Sequence, residues 1–362
     1  MMKRKGNLYF CGCLALAAAF LCALTTPACA RRYYSWEKKP KKSFIIKTKV
    51  RRWQAATSAQ VRTSALTPAS WWTPAPPTPA AIKDVTIGGT MDFKVLNTPM
   101  YIYSAEVQPL RGFSLEFETS DNHFTGGRYA DHDWAIATYR ASNGINWDSP
   151  RLSDYAAKTA SNSGTARQYS AAAYLTVYKS AGLALDTEHE IPHSLDFFVG
   201  YSWYENKAHI TNGYQTLSNA LLPAPPVGPI NGLNSRARMA WYGWRFGFRE
   251  QADLGKGFSA EANFAYGPRM NYRGENYWNL DATMSNPGVR TCATGQLAEL
   301  TISASYKFWK KFEVEAGWLS WAYKSASGSE TRYYANGSTL EGDVTRVRAA
   351  RKGAFLGLTW RY

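Results

Sequence analysis

The residues with the greatest chemical reach stand in "GGRYADHDW", Gly126 to Trp134, where Asp131 and Asp133 flank His132. Paired carboxylates beside an imidazole can hold a water and take a proton from it, provided the base lies within hydrogen-bond reach and titrates in a useful range. The same trio suits a weak divalent-ion site, since imidazole and carboxylate serve several such metals. Against both stands a plainer reading. Adjacent residues point in different directions, and Asp with His is what a solvated loop tip carries; no metal is expected to be held there. The choice turns on the elements that position the stretch.

Those elements begin with an export signal. Residues 1–30 open on Lys3, Arg4 and Lys5, run through the apolar "LYFCGCLALAAAFLCAL" and close on "TPACA", with small residues at Ala28 and Ala30, the three-part pattern of a cleaved signal peptide. The apolar run is near the ~18–20 residues of a membrane helix, but no second long apolar run follows it. Four of the five cysteines fall inside this presequence and leave Cys292 alone, so no internal disulfide is expected after cleavage. The far end reads "GAFLGLTWRY": Leu356, Leu358 and Trp360 alternate with Gly357, Thr359 and Arg361, and Tyr362 closes the chain. An alternating strand with a terminal aromatic resembles the signal read by the bacterial outer-membrane insertion machinery, which makes that machinery an expected partner of Tyr362.

Period-two alternation recurs throughout the second half, the mark of strands with one apolar face. In "LTISASYKF", Leu300, Ile302, Ala304, Tyr306 and Phe308 oppose Thr301, Ser303, Ser305 and Lys307. Phe312, Val314, Ala316 and Trp318 likewise oppose Lys311, Glu313, Glu315 and Gly317. A soluble sandwich alternates too. The glutamates on the polar faces and the aromatics ending the apolar faces favour a hydrated lumen and interfacial girdles instead. The expected fold is therefore all-β, a transmembrane up-and-down antiparallel barrel of about ten strands with long extracellular loops and short periplasmic turns. The spacing predicts strands at 83–95, 99–108, 111–120, 166–180, 194–206, 236–250, 256–269, 296–309, 311–324 and 352–362. With the N-terminus inside, the outer loops are 121–165, 207–235, 270–295 and 325–351, and "GGRYADHDW" sits in the first of these, above the third strand.

The barrel then occupies 83–362, and residues 31–82 form a separate arm. Its basic run, 31–52, holds ten Lys or Arg and one Glu, and 64–81 is rich in Pro, Ala, Thr and Trp; the composition predicts a disordered periplasmic segment. The basic run carries +9 and the presequence +3 of the formal +15, leaving +3 for everything beyond Arg52. A nucleic-acid partner is not implied.

Within this layout, "GFSLEFETSDNHFTGGRYADHDW" resembles the third strand and second loop of the omptins, ten-stranded outer-membrane proteases whose motif there is Asp, any residue, Asp, Trp. The runs "DFFVGYSWYENKAHITNGY" and "GFSAEANFAYGPRMNYRGENYW" are similar to the omptin fifth and seventh strands. The resemblance covers 83–362. It implies that Asp131 and Asp133 face an Asp and a His two residues apart on the seventh strand and that the four activate a water. Here the sequence departs from the family: Asn276 and Trp278 stand at those two positions, and neither can take a proton from water near neutral pH. His132 or His123 is the candidate substitute base; His189 and His193 fall in a periplasmic connection and His209 opens the neighbouring loop.

Three functions follow as expectations. The first is a non-catalytic omptin-like surface barrel binding lipopolysaccharide or an extracellular peptide or protein, with Arg236 and Arg238 placed to pair with lipid phosphates. The second is an omptin-type endopeptidase using Asp131, Asp133 and a relocated histidine. The third is a small pore, its lumen plugged by ion pairs among Glu116, Glu118, Glu261, Glu299, Glu313, Glu315, Arg245, Arg249 and Lys307. No cofactor is expected beyond lipopolysaccharide as a lipid partner, and the expected location is the bacterial outer membrane.

Overall fold

Alternating apolar and polar side chains give a strand two unlike faces, and such strands can be buried in lipid only if their backbone hydrogen bonds are all made to one another. The computed structural model describes residues 44–68, 82–140, 146–148, 152–184, 190–218 and 226–362. The signal peptide, the basic residues up to 43 and the Pro-rich stretch 69–81 lie outside the described residues. The elements are β1 (Ile45–Pro68), β2 (Ile82–Leu110), β3 (Phe113–Arg140), β4 (Asn146–Asp148), β5 (Leu152–Ala184), β6 (Glu190–Ser218), β7 (Gly228–Gly255), β8 (Phe258–Tyr277), β9 (Met284–Lys307), β10 (Phe312–Tyr334) and β11 (Thr339–Arg361). All pair antiparallel with their neighbours, and β1 joins both β2 and β11, so the sheet closes on itself. Apart from the three-residue β4, the described strands are long, 20 to 33 residues.

The expected number of long strands is met by a different set. Residues 45–68, assigned from composition to a disordered arm, form β1, with Val50 opposite Leu358 on one side and Tyr103 on the other. Its basic residues have lumenal work: Lys47 reaches Glu106 at 3.2 Å, Lys49 reaches Glu315 at 3.2 Å, and Arg51 reaches Glu315 at 3.3 Å. Conversely, the two strands expected at 83–95 and 99–108 are the single strand β2. Pro99, the expected start of the second of them, pairs with Gln54 beside a register shift between Ala55 and Thr57, a bulge that tolerates the missing N–H. The inner turns are short, as at Arg111 and Gly112, where the glycine takes φ 80. Much of each expected outer loop is strand as well, since β3, β6, β9 and β10 run on past the lengths assigned from sequence.

A belt of outward-facing apolar residues crosses the lower part of the wall, including Phe117, Leu175, Trp244, Phe246, Ile302 and Leu356, each more than 40 % exposed. Above it the outward face of β3 turns polar, with Asp121, His123 and Arg128. Such a belt is stable only against hydrocarbon, which is the arrangement of a membrane-spanning barrel.

The interior has two levels. The lower is a cavity of about 470 Å³ lined by charged residues, where Arg245 meets Glu299 at 2.7 Å and Arg249 meets Glu106 at 3.0 Å and Asp196 at 2.9 Å. Above it lies an aromatic layer. Tyr204 packs on Trp321 with ring centroids 4.9 Å apart, and Trp241 packs on Trp321 at 5.9 Å and Tyr272 at 5.5 Å. All four rings are buried.

Candidate functional site

"GGRYADHDW" is not a loop tip. It lies in the upper half of β3, hydrogen-bonded on both sides, and period two sorts its side chains. Tyr129 and Asp131 are buried in the barrel and Asp133 shares their face, whereas His132 is exposed on the outer wall. Asp131 and Asp133 are thus brought together and His132 is turned away from them. This removes it as their base.

The neighbouring strand is cut to fit. Gly89 pairs with Asp133, and a Cβ there would stand 3.1 Å from the Asp133 Oδ1; Gly88 pairs with Trp134, and a Cβ there would collide with the indole. One glycine makes room for the carboxylate inside, the other for the ring outside. Below the aspartates, Phe93 and Tyr129 form a floor with ring centroids 5.0 Å apart.

Across the inner face, β5 supplies Lys158, directly opposite Asp131 in register. Its Nζ lies 2.8 Å from Asp131 Oδ2 and 5.2 Å from the centroid of the Trp278 ring. Burial pulls this ammonium down, but Asp131 and then Asp133 more than offset it, pushing it up to about 12. It is a fixed cation and no base. Asp133 behaves oppositely: burial, reinforced by the charge of Asp131 and only partly opposed by Lys158 and Arg332, raises its carboxyl to about 7. The Tyr129 hydroxyl, buried under both carboxylates, is held far above its ordinary range. From the opposite wall, β10 contributes Arg332, whose Nε lies 2.7 Å from Glu330.

The two positions that depart from the omptin pattern are also at this mouth. Trp278 lies under Lys158, and the buried Asn276 amide donates to Met91 Sδ at 3.5 Å. Met91 is the β2 partner of Asp131. Among the described residues no histidine joins them. His123 and His209 are exposed on the outer wall, and His193 lines the lower cavity; His189 lies outside the described residues. No group of three or more His, Cys, Asp or Glu suited to a metal occurs among the described residues.

Lys158, Arg332, Glu330 and the two glycines were missed from sequence. Lys158 falls in "KTASNSGTARQ", whose small polar residues read as loop; only the pairing of β5 with β3 reveals that it faces Asp131.

Arg236 and Arg238 stand on the outer wall, and Arg238 has company. Arg238 Nε lies 2.7 Å from Glu205, and its Nη1 3.7 Å from Glu275; Glu275 also receives Arg273 at 2.8 Å and Arg290 at 3.7 Å. Lys207 lies 3.6 Å from Glu205. Both carboxylates are buried beneath cations that remain open to solvent, just above the exposed rings of Trp203 and Trp244.

No protein-family model matches the sequence, and no curated protein is similar to it. The crystal structure of the outer membrane protease OmpT from Escherichia coli superposes with a TM-score of 0.65, covering 91% of this chain and 100% of that chain at 10% identity. A Pseudomonas aeruginosa FadL homologue also matches, at a TM-score of 0.21 and 10% identity over 88% of this chain and 90% of that chain. The first likeness establishes an omptin-like outer-membrane barrel fold.

Proposed function

We propose that this chain is an outer-membrane surface barrel that has exchanged the water-activating chemistry of its mouth for binding. The observation that carries the reading is Lys158, whose ammonium occupies Asp131 at 2.8 Å while the Trp278 ring lies beneath it. A protonated lysine on one carboxylate and an indole where a histidine would be needed leave, among the described residues, no imidazole to accept the proton of an attacking water. The binding surface is the outer wall around Glu205 and Glu275, where arginines oriented by buried carboxylates sit at the height of lipid phosphates. Guanidinium groups so held match phosphate oxygens in pairs, and the partner is the lipopolysaccharide of the outer leaflet.

A fluorogenic dibasic peptide incubated with the refolded barrel and lipopolysaccharide should show no turnover above buffer. Cleavage that disappears in Asp133→Ala would overturn the reading. One feature favours that second, endopeptidase reading: the Asp133 carboxyl at about 7 is in the range a general base needs. The same assay decides between them. For the wall, Arg238→Ala with Arg273→Ala should lower the amount of lipopolysaccharide retained through purification by about tenfold, a loss of roughly 1.4 kcal/mol.

A further inference from the structure

Arg351 is a cation set into the aromatic layer. It is fully buried and crosses the lumen from β11 to β6 on the opposite side of the ring, where its Nη2 donates to Asn206 Oδ1. Its guanidinium lies over the Trp321 ring, 5.5 Å from the centroid. Among the described residues it makes no ion pair, and neither Nε nor Nη1 finds an acceptor. The arginines of the chamber below are treated differently, since Arg51 meets Glu315, Arg245 meets Glu299 and Arg249 meets Asp196. Arginine cannot escape its charge by losing a proton, and an aromatic face supplies only a partial counter-charge. A buried charge needs a partner of opposite sign.

Beside Arg351 the wall has a gap. The β2–β3 ladder reaches Lys94 opposite Arg128 and resumes at Tyr103 opposite Thr119. In that interval the Asn122 side chain substitutes for a neighbouring strand, its Oδ1 accepting from Tyr101 N at 2.6 Å and its Nδ2 donating to Tyr101 O at 3.4 Å. The gap holds a cavity of about 20 Å³ whose polar lining is Thr57, Thr98, Asn122, His123 and Asn206, the rest being apolar. Two of these residues adjoin the guanidinium: Asn206 accepts from it, and Thr57 is its cross-strand partner. With Asn206 Oδ1 engaged, the amide has N–H groups left to offer, Asn122 Nδ2 has a second N–H, and both threonines bring hydroxyls. The lining is rich in donors and contains no carboxylate.

We propose that this cavity binds one small monovalent anion, a halide, held by the amide and hydroxyl donors and neutralising Arg351. Size selects the class: such a space admits a single particle of about the dimensions of a water, which fits chloride or bromide and excludes sulfate, phosphate and carboxylates. Charge selects against water, which would meet the same donors and leave the guanidinium uncompensated. One ion there touches β1, β2, β3 and β6 and joins the edges of the gap. The site lies within the barrel and does not depend on the surface binding proposed above.

The test is urea unfolding of the refolded full-length barrel in zwitterionic detergent, with chloride replacing gluconate at constant ionic strength. Between ~1 and ~100 mM chloride the ratio of folded to unfolded barrel should rise about tenfold and saturate, as linkage requires of an ion bound by the folded state alone. Bromide should act as chloride does, and sulfate should not. Arg351→Met, which keeps the volume and removes the charge, should abolish the dependence, and Thr57→Val should weaken it. The exposed cation Arg348 is the control, and Arg348→Ala should respond as the wild type does. Heat-dependent gel migration reports folding, and Thr57→Val carries the comparison if Arg351→Met does not fold. Crystals grown with bromide as the halide should show anomalous scattering between Thr57 and Asn206. Equal stability in chloride and gluconate, an equal effect of sulfate, an unchanged response in the folded variants, or bromide absent from this cavity each overturns the proposal.

Discussion

Asp131 and Asp133 are two residues apart on one face of one strand, yet their surroundings separate them electrically. Asp131 is 5 % exposed and leans on Lys158, so removing the lysine strands a buried charge. Lys158→Ala should cost about 2–4 kcal/mol of stability to urea in detergent, the order seen when one partner of a buried pair is deleted. Adding Asp131→Asn should restore most of it, and a double variant no better than the single would refute the pairing. Asp133, raised to about 7, favours its neutral form in the folded barrel. A carboxyl raised on folding stabilises fully below its unfolded value near 4 and loses that contribution as pH climbs toward its folded value. Wild type should therefore lose about 1–2 kcal/mol relative to Asp133→Asn between pH ~4 and ~7, a partly buried group being partly screened, and parallel unfolding curves across that window would contradict the assignment. The pair of aspartates was legible from the spacing and the omptin motif. Their partner was not, because Lys158 lies far along the chain and only register brings it across.

At the scale of the element, Gly88 and Gly89 show how one strand is shaped by two unrelated demands, a ring outside and a carboxylate inside. Gly88→Val should displace Trp134 and be read as a red shift in tryptophan emission with a loss of about 1–3 kcal/mol; an unchanged spectrum would mean the ring does not rest there. Alternation found β7 to β10 because their lower parts carry apolar residues outward and polar residues inward in strict turn. It failed at β1, where Lys47, Lys49 and Arg51 made a strand look like a solvated tail; the carboxylates that receive them, Glu106 and Glu315, come from β2 and β10. It failed again just before Pro99, where a bulge stands in place of the expected break between two strands. The extension of the strands above the belt was hidden too, since a wall standing in water on its outer face has little apolar signature to read.

For the whole molecule, the aromatic layer of Tyr204, Trp241, Trp321 and Tyr272 divides the interior into an inner charged chamber and an outer mouth. Planar bilayers holding the barrel should show no steady conductance, and Trp241→Ala with Trp321→Ala should open measurable leak; large currents in the wild type would mean the layer does not seal. The seam between the two ends of the chain has its own consequence. Ile46 and Tyr362 exchange backbone hydrogen bonds at 3.3 and 2.8 Å, and β1 finds its second neighbour only in β11, some three hundred residues further along the chain. Until β11 has paired, β1 therefore waits with one flank unsatisfied and ready to pair with any stray extended segment. Closure of that seam ends the exposure, which places the hazard of misassembly before the two strands meet and none of it in the finished cylinder.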